Sequence, residues 1–195
     1  GISEGGWHAA EGLILARYFM FTQVYFHKTR IAFDHHLHEA LKELLPNGCF
    51  PSPEGNALEA YLEWDDWRVL GLLASGQGGE HGRRLATRDH YREAFHTGEV
   101  PTTADLERLD RVRTALGPLL AAEQSAEKSW YATGQGDIPV LGDPEEGMAQ
   151  PLSKYSGVVA NLRRNQQVRL YVRPEEREPA RQKIHAIAGE HHESH

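Results

Sequence analysis

A chain of 195 residues with 39% hydrophobic and 25% charged side chains can bury a core and is not a candidate for wholesale disorder. Its formal net charge of −7 argues against nucleic-acid binding, which needs a net basic face, although local basic patches can still hold single anions. The one cysteine, Cys49, excludes an internal disulfide or CxxC pair and points to a reducing cytoplasm, and no apolar run approaches the roughly 20 residues of a membrane span.

The opening "GISEGGWHAAEG" has no basic region followed by an apolar core, so no signal peptide is read there. It also lacks an initiator Met, and the chain is read as a piece of a longer protein. From Trp7 to Leu45 apolar residues recur at Ile14, Tyr18, Phe21 and Tyr25, then at Phe33, Leu37, Leu41 and Leu44, the 3.6 period of one very long central helix. "LLPNGCFPSPEGN" ends it. A second helix is expected over Ala57–Ala74, with Trp64 and Trp67 packed and one of Asp65 and Asp66 paired to a neighbouring helix. A third is expected from Glu80 to about Phe95. A fourth starts near Thr102 and Asp105, whose spacing is that of a capping box with Asp in place of Glu, and is kinked or ended by Gly117-Pro118.

Beyond Trp130 the pattern changes to strand ("DIPVLGD"), loop ("GDPEEGMAQP"), short helix ("LSKYSGVVANLRRN"), strand ("QQVRLYV") and helix ("EPARQKIHAIAG"). Val168, Leu170 and Val172 alternate with Arg169, Tyr171 and Arg173, as in a half-buried strand. The expected fold is therefore mainly α: a helical domain over 1–130, a small C-terminal α+β subdomain over 131–190, and a disordered tail at 191–195.

Two polar stripes carry the candidate chemistry. Gln23, His27, Arg30, Asp34 and His38 would share one face of the long helix, either as a structural network such as an Arg30–Asp34 pair or as groups facing a wet cavity. Arg84, Arg88, Arg92 and His96 recur every fourth residue and offer guanidinium forks to phosphate, or else form a solvated face paired to acids. Asp34, His35 and His38 span one helical turn; surface histidines explain them better than a metal site. "SGQGGEHG" lacks the ending of a phosphate loop.

"LARYFMFTQVYFHKTRIAFDHHL", "YLEWDDWRVLGLL", "RDHYREAFHTGE" and "VRLYVRPEE", in that order from about Ile2 to Ile187, resemble HD-domain phosphohydrolases of the deoxynucleoside triphosphate triphosphohydrolase type. The resemblance implies a metal site made by a His, an adjacent His-Asp pair and a distant Asp, all upstream of the long helix. That set is missing here, so no metal is expected to be held by this chain, and a divalent ion such as Mn or Mg is expected only in the full-length protein. The resemblance places Gln23 and His27 on the wall of the catalytic pocket, with Gln23 standing where better-known relatives carry Arg. It places Arg92 at a regulatory nucleotide contact, with His96 in place of Lys and with Thr29, Phe33 and Asp34 in place of Arg, His and Lys. Nucleotide-activated tetramerisation of that kind is therefore not expected.

The reading is a C-terminal part of a metal-dependent phosphohydrolase acting on nucleotide phosphoesters, inactive alone, with a missing N-terminal HD half and a second copy of itself as partners. A non-enzymatic oligomerisation or regulatory module, or a nucleotide-binding module, stays open as an alternative.

Overall fold

Strand β1 covers Ile2–Ser3, helix α1 covers Trp7–Met20, and a π-helical turn follows at Phe21–Tyr25 in the computed structural model, which describes residues 1–126, 136–142 and 149–189. Then come α2 (Lys28–Leu44), α3 (Leu58–Leu62), α4 (Asp66–Ala74), α5 (Gly79–Thr87), β2 (Arg92–His96), α6 (Thr103–Leu116) and β3 (Leu120–Ser125). The remaining elements are β4 (Pro139–Leu141), β5 (Gln150–Pro151), α7 (Leu152–Tyr155), α8 (Gly157–Ala160), β6 (Val168–Val172) and α9 (Arg177–Gly189). Among the described residues the protein is mainly helical with two small sheets. Part of the expected loop at 142–151 and the whole tail at 191–195 lie outside the described residues.

The expected helix over Trp7–Leu45 is not continuous. The Phe26 amide donates to the carbonyl of Phe21 at 2.7 Å, a bond to the fifth preceding residue that widens the turn. Phe26 then leaves helical geometry at φ −104°, ψ 21°, and α2 begins at Lys28. The apolar period continues across this break, so periodicity could not reveal it.

Other boundaries shift for local reasons. The expected second helix divides into α3 and α4 because Asp65, with extended backbone, accepts the Arg68 amide at 2.8 Å and caps a new start. Both Asp65 and Asp66 are exposed, and Trp67 is 83% exposed instead of packed, while Arg68 stacks over Trp64 at 4.2 Å. The expected third helix stops at Thr87, where Arg88 turns left-handed at φ 57°; the residues from Arg92 form a strand. Thr102 and Asp105 do form the capping box, with bonds of 2.8 and 3.3 Å in the two directions.

The chain divides into two units. The first comprises Gly1–His27, His96–Leu109 and Ser125–Val168. Its core joins Ala10 and Ile14 of α1 to Val140, Leu152 and Val159, and its sheet has the order β1-β4-β5, with β1 parallel to β4. Ser156 divides the expected helix over 152–165: its hydroxyl accepts the Val159 amide at 3.0 Å and starts α8.

The second unit comprises Lys28–Phe95, Asp110–Gln124 and Arg169–His195. It holds nearly all of a sheet of order β2-β6-β3. Because β6 is the central strand, Arg169, Leu170, Tyr171 and Val172 are all buried, and the expected half-exposed alternation does not hold. Burying Arg169 requires a partner, which is Glu93 on the neighbouring strand β2; the two side chains are each 11% exposed. The Tyr171 hydroxyl donates to the Lys28 carbonyl at 2.9 Å and so ties the central strand to the start of α2.

Candidate functional site

In the second unit, α2 turns Ala32, His36 and Ala40 inward at four-residue spacing. Two alanines leave room for an imidazole between them, and His36 has no exposed surface. Helix α5 approaches α2 closely through Gly78, where a Cβ would lie 3.1 Å from the Ala40 Cβ and 3.3 Å from the Ala40 carbonyl oxygen, and which needs φ 84°. This brings His81 to His36, with the two Nδ1 atoms 2.8 Å apart.

The amide of Tyr91 donates to His36 Nε2 at 3.0 Å. That nitrogen therefore carries no proton, so neutral His36 is protonated on Nδ1 and donates to His81 Nδ1. His36 cannot take a second proton without opposing the Tyr91 N–H. Burial above all, then the neighbouring His81, His35, Arg84 and His90, lowers its pKa to about 3. His35 is lowered for the same first reason, and the Tyr91 ring stands edge-on to His36 at 4.3 Å. Of the histidines expected at the surface, His38 is exposed and His35 is half-buried, while His36 beside them is a core group.

Arg84, on the same helix as His81, is also buried. It donates to Glu80 at 2.9 Å and to the Asp89 carboxylate at 2.9 Å, lies 3.8 Å from Glu175, and places its guanidinium 5.2 Å from the Tyr91 ring centroid. Its donors are committed to holding α5 and the turn after it. Arg88 ends the helix, Arg92 lies in β2 of the second unit, and His96 falls in the first unit. The four basic residues therefore share no helical face, because the helix that would have aligned them ends at Thr87.

Arg92 instead joins a different basic group. A cavity of about 180 Å³ is lined by Lys28, Thr29, His90, Tyr91, Arg92, Glu93 and Arg177. Arg92 Nη1 lies 2.8 Å from His90 Nε2 and 2.9 Å from Nδ1, and the Phe33 ring covers His90 at 4.9 Å. Burial first, then the Arg92 charge, lowers the His90 pKa, so this imidazole is neutral near pH 7. Glu93 is neutralised by Arg169. Lys28, Arg92 and Arg177 then leave a cavity that favours a small anion, with guanidinium groups suited to phosphate oxygens. Lys28, His90 and Arg177 could not be grouped from the sequence, since they come from α2, the turn before β2, and α9.

In the first unit, Gln23 is exposed on the π-helical turn and His27 is exposed just after it. Widened turns of this kind occur often where a helix borders a site. Leu13, Phe19, Val24 and Tyr25 are exposed nearby in the chain at 61%, 57%, 45% and 51%. Tyr18 donates to Glu99, and that bond above all raises the Tyr18 pKa to about 12. Arg30 and Asp34 pair at 3.3 Å on the outer side of α2, as the structural reading of the stripe expects. The break between Phe26 and Lys28 assigns Gln23 and His27 to the first unit and Arg30, Asp34 and His38 to the second.

Among the described residues, no group of three or more His, Cys, Asp or Glu side chains is arranged to hold a metal ion. The described residues by themselves therefore do not fit a divalent metal centre. No helix is long and apolar enough to cross a membrane.

Residues 2–121 match the family described as the HD associated region. No curated protein matches the chain. A crystal structure described as a hypothetical protein from Aquifex aeolicus is similar at 27% identity and a TM-score of 0.75, covering 93% of this chain. The match covers 46% of that protein, so the chain spans about half of its length.

Proposed function

The chain belongs to the HD associated region family, and from that premise we propose that it forms the C-terminal wall of an HD-superfamily, metal-dependent phosphohydrolase acting on nucleotide phosphoesters. A preceding half would hold the divalent ion, Mn or Mg. Gln23 and His27, on the π-helical turn, would face that half and orient the substrate, His27 by donating to a phosphate oxygen or passing a proton. The observation that carries this reading is the family match over residues 2–121, supported by a relative twice as long. Apolar groups standing in solvent, Leu13, Phe19 and Val24, support coverage by further chain.

The test uses the longer protein. Gln23→Ala and His27→Ala should each lower kcat for a deoxynucleoside triphosphate by about 10²-fold, as expected when a positioned donor or proton carrier is removed. Unchanged kcat in both variants would remove the two residues from the pocket.

A second role, anion binding by the 195-residue chain itself, is favoured by the cavity of Lys28, Arg92 and Arg177. Titration with triphosphate should show saturable binding that Arg92→Ala weakens by about tenfold or more. An unaltered isotherm would dismiss it. Contacts with a second copy are the third part of the proposal, supported by the exposed Leu62, Trp67 and Leu70 of α3 and α4. Light scattering of Trp67→Glu should then show a lower mass than the parent chain at equal concentration.

A further inference from the structure

In the first unit a cavity of about 420 Å³ is lined by Pro101, Leu106, Ser125, Ala126, Arg164, Asn165 and Gln166. Its frame is cross-linked by backbone bonds: the Gln166 amide donates to the Glu99 carbonyl at 2.8 Å, and the Ala126 amide donates to the Gln167 carbonyl at 2.9 Å. Gln167 Nε2 adds a bond to the Thr97 carbonyl at 2.8 Å. These contacts hold the lining in one arrangement with no ligand needed.

Asn165 is the unusual member. It is 3% exposed, and its Oδ1 accepts the Gln167 amide at 2.9 Å, which fixes the orientation of the side-chain amide. Its Nδ2, in contrast, has no hydrogen-bond partner. A buried donor without an acceptor costs free energy, and in a native structure it calls for an explanation such as a ligand. Only an acceptor can satisfy it. Arg164, exposed, borders the same cavity, and no Asp or Glu is among the described lining residues, so a negatively charged acceptor is favoured. Pro101, Leu106 and Ala126 supply an apolar wall, and the volume lies within the range of small-molecule sites.

We propose that this cavity binds a small organic acid, its carboxylate on Asn165 Nδ2 and Arg164 and its apolar body against Pro101, Leu106 and Ala126. The site is separate from the anion cavity at Arg92 and does not depend on the phosphohydrolase reading.

The test is an NMR titration of the 195-residue chain with hexanoate, with hexanol and inorganic phosphate as controls. Hexanoate should saturate and shift the amides of Leu106, Ala126, Asn165 and Gln166, while hexanol and phosphate bind at least tenfold more weakly. Asn165→Asp keeps the acceptor for the Gln167 amide and replaces the donor by a repelling oxygen; it should weaken hexanoate by tenfold or more. Leu106→Trp fills the cavity from a partly exposed position, so it tests the site even if Asn165→Asp fails to fold, and it should abolish the shifts. Equal binding of hexanol and hexanoate, unaltered binding in Leu106→Trp, or no saturable hexanoate binding would each overturn the proposal.

Discussion

His36 illustrates how one side chain can set the pH range of a fold. Both of its ring nitrogens are engaged, one accepting from Tyr91 and one against His81, and its pKa is lowered to about 3. Unfolded histidine titrates near 6.5. The unfolded chain therefore binds the proton first as pH falls, and stability is lost between about 6.5 and 3. From pH 7 to pH 5 the loss from this residue alone is about 2 kcal/mol, at about 1.4 kcal/mol per unit below 6.5. Lowered His35 and His90 act in the same direction. Urea unfolding at the two pH values measures it, and His36→Leu should flatten the dependence while lowering stability at pH 7. A parent protein equally stable at pH 5 and pH 7 would contradict the assigned protonation. The sequence gives no sign of this network, since His36 pairs with His81 across 45 residues and with the Tyr91 backbone across 55.

At the scale of elements, side-chain caps decide where helices begin. Asp65→Ala should cost about 1 kcal/mol by removing the acceptor for the Arg68 amide, with a matching fall in Tm. An unchanged Tm would show that α4 starts without the cap. The start of α6 was legible because Thr102 and Asp105 bond each other locally, within three residues. The break at Phe26 was not legible, because Phe21, Tyr25 and Phe33 maintain an apolar period through a turn widened by one bond. The end of α5 was hidden too: Arg88, which adopts φ 57°, is not a residue that announces a left-handed cap. Strand β2 was missed because its identity depends on pairing beside β6, a contact made more than 70 residues away. The candidate anion site followed the same rule. Arg92, a candidate from the sequence, lines this cavity, but its neighbours Lys28 and Arg177 are set by the fold and not by helical spacing.

At the scale of the molecule, the resemblance drawn from four ordered motifs and the family match over residues 2–121 agree on an HD-superfamily context. The chain covers 46% of its Aquifex aeolicus relative, and the described residues offer no ligand set for a metal. The account therefore divides labour between a preceding half that would hold the cation and this chain, which would shape the cavity. Turnover of a deoxynucleoside triphosphate with Mn or Mg, compared between the 195-residue chain and a longer protein that includes the preceding half, tests that division most directly. The account predicts metal-dependent hydrolysis by the longer protein and none by the 195-residue chain. Robust turnover by the 195-residue chain alone would contradict it.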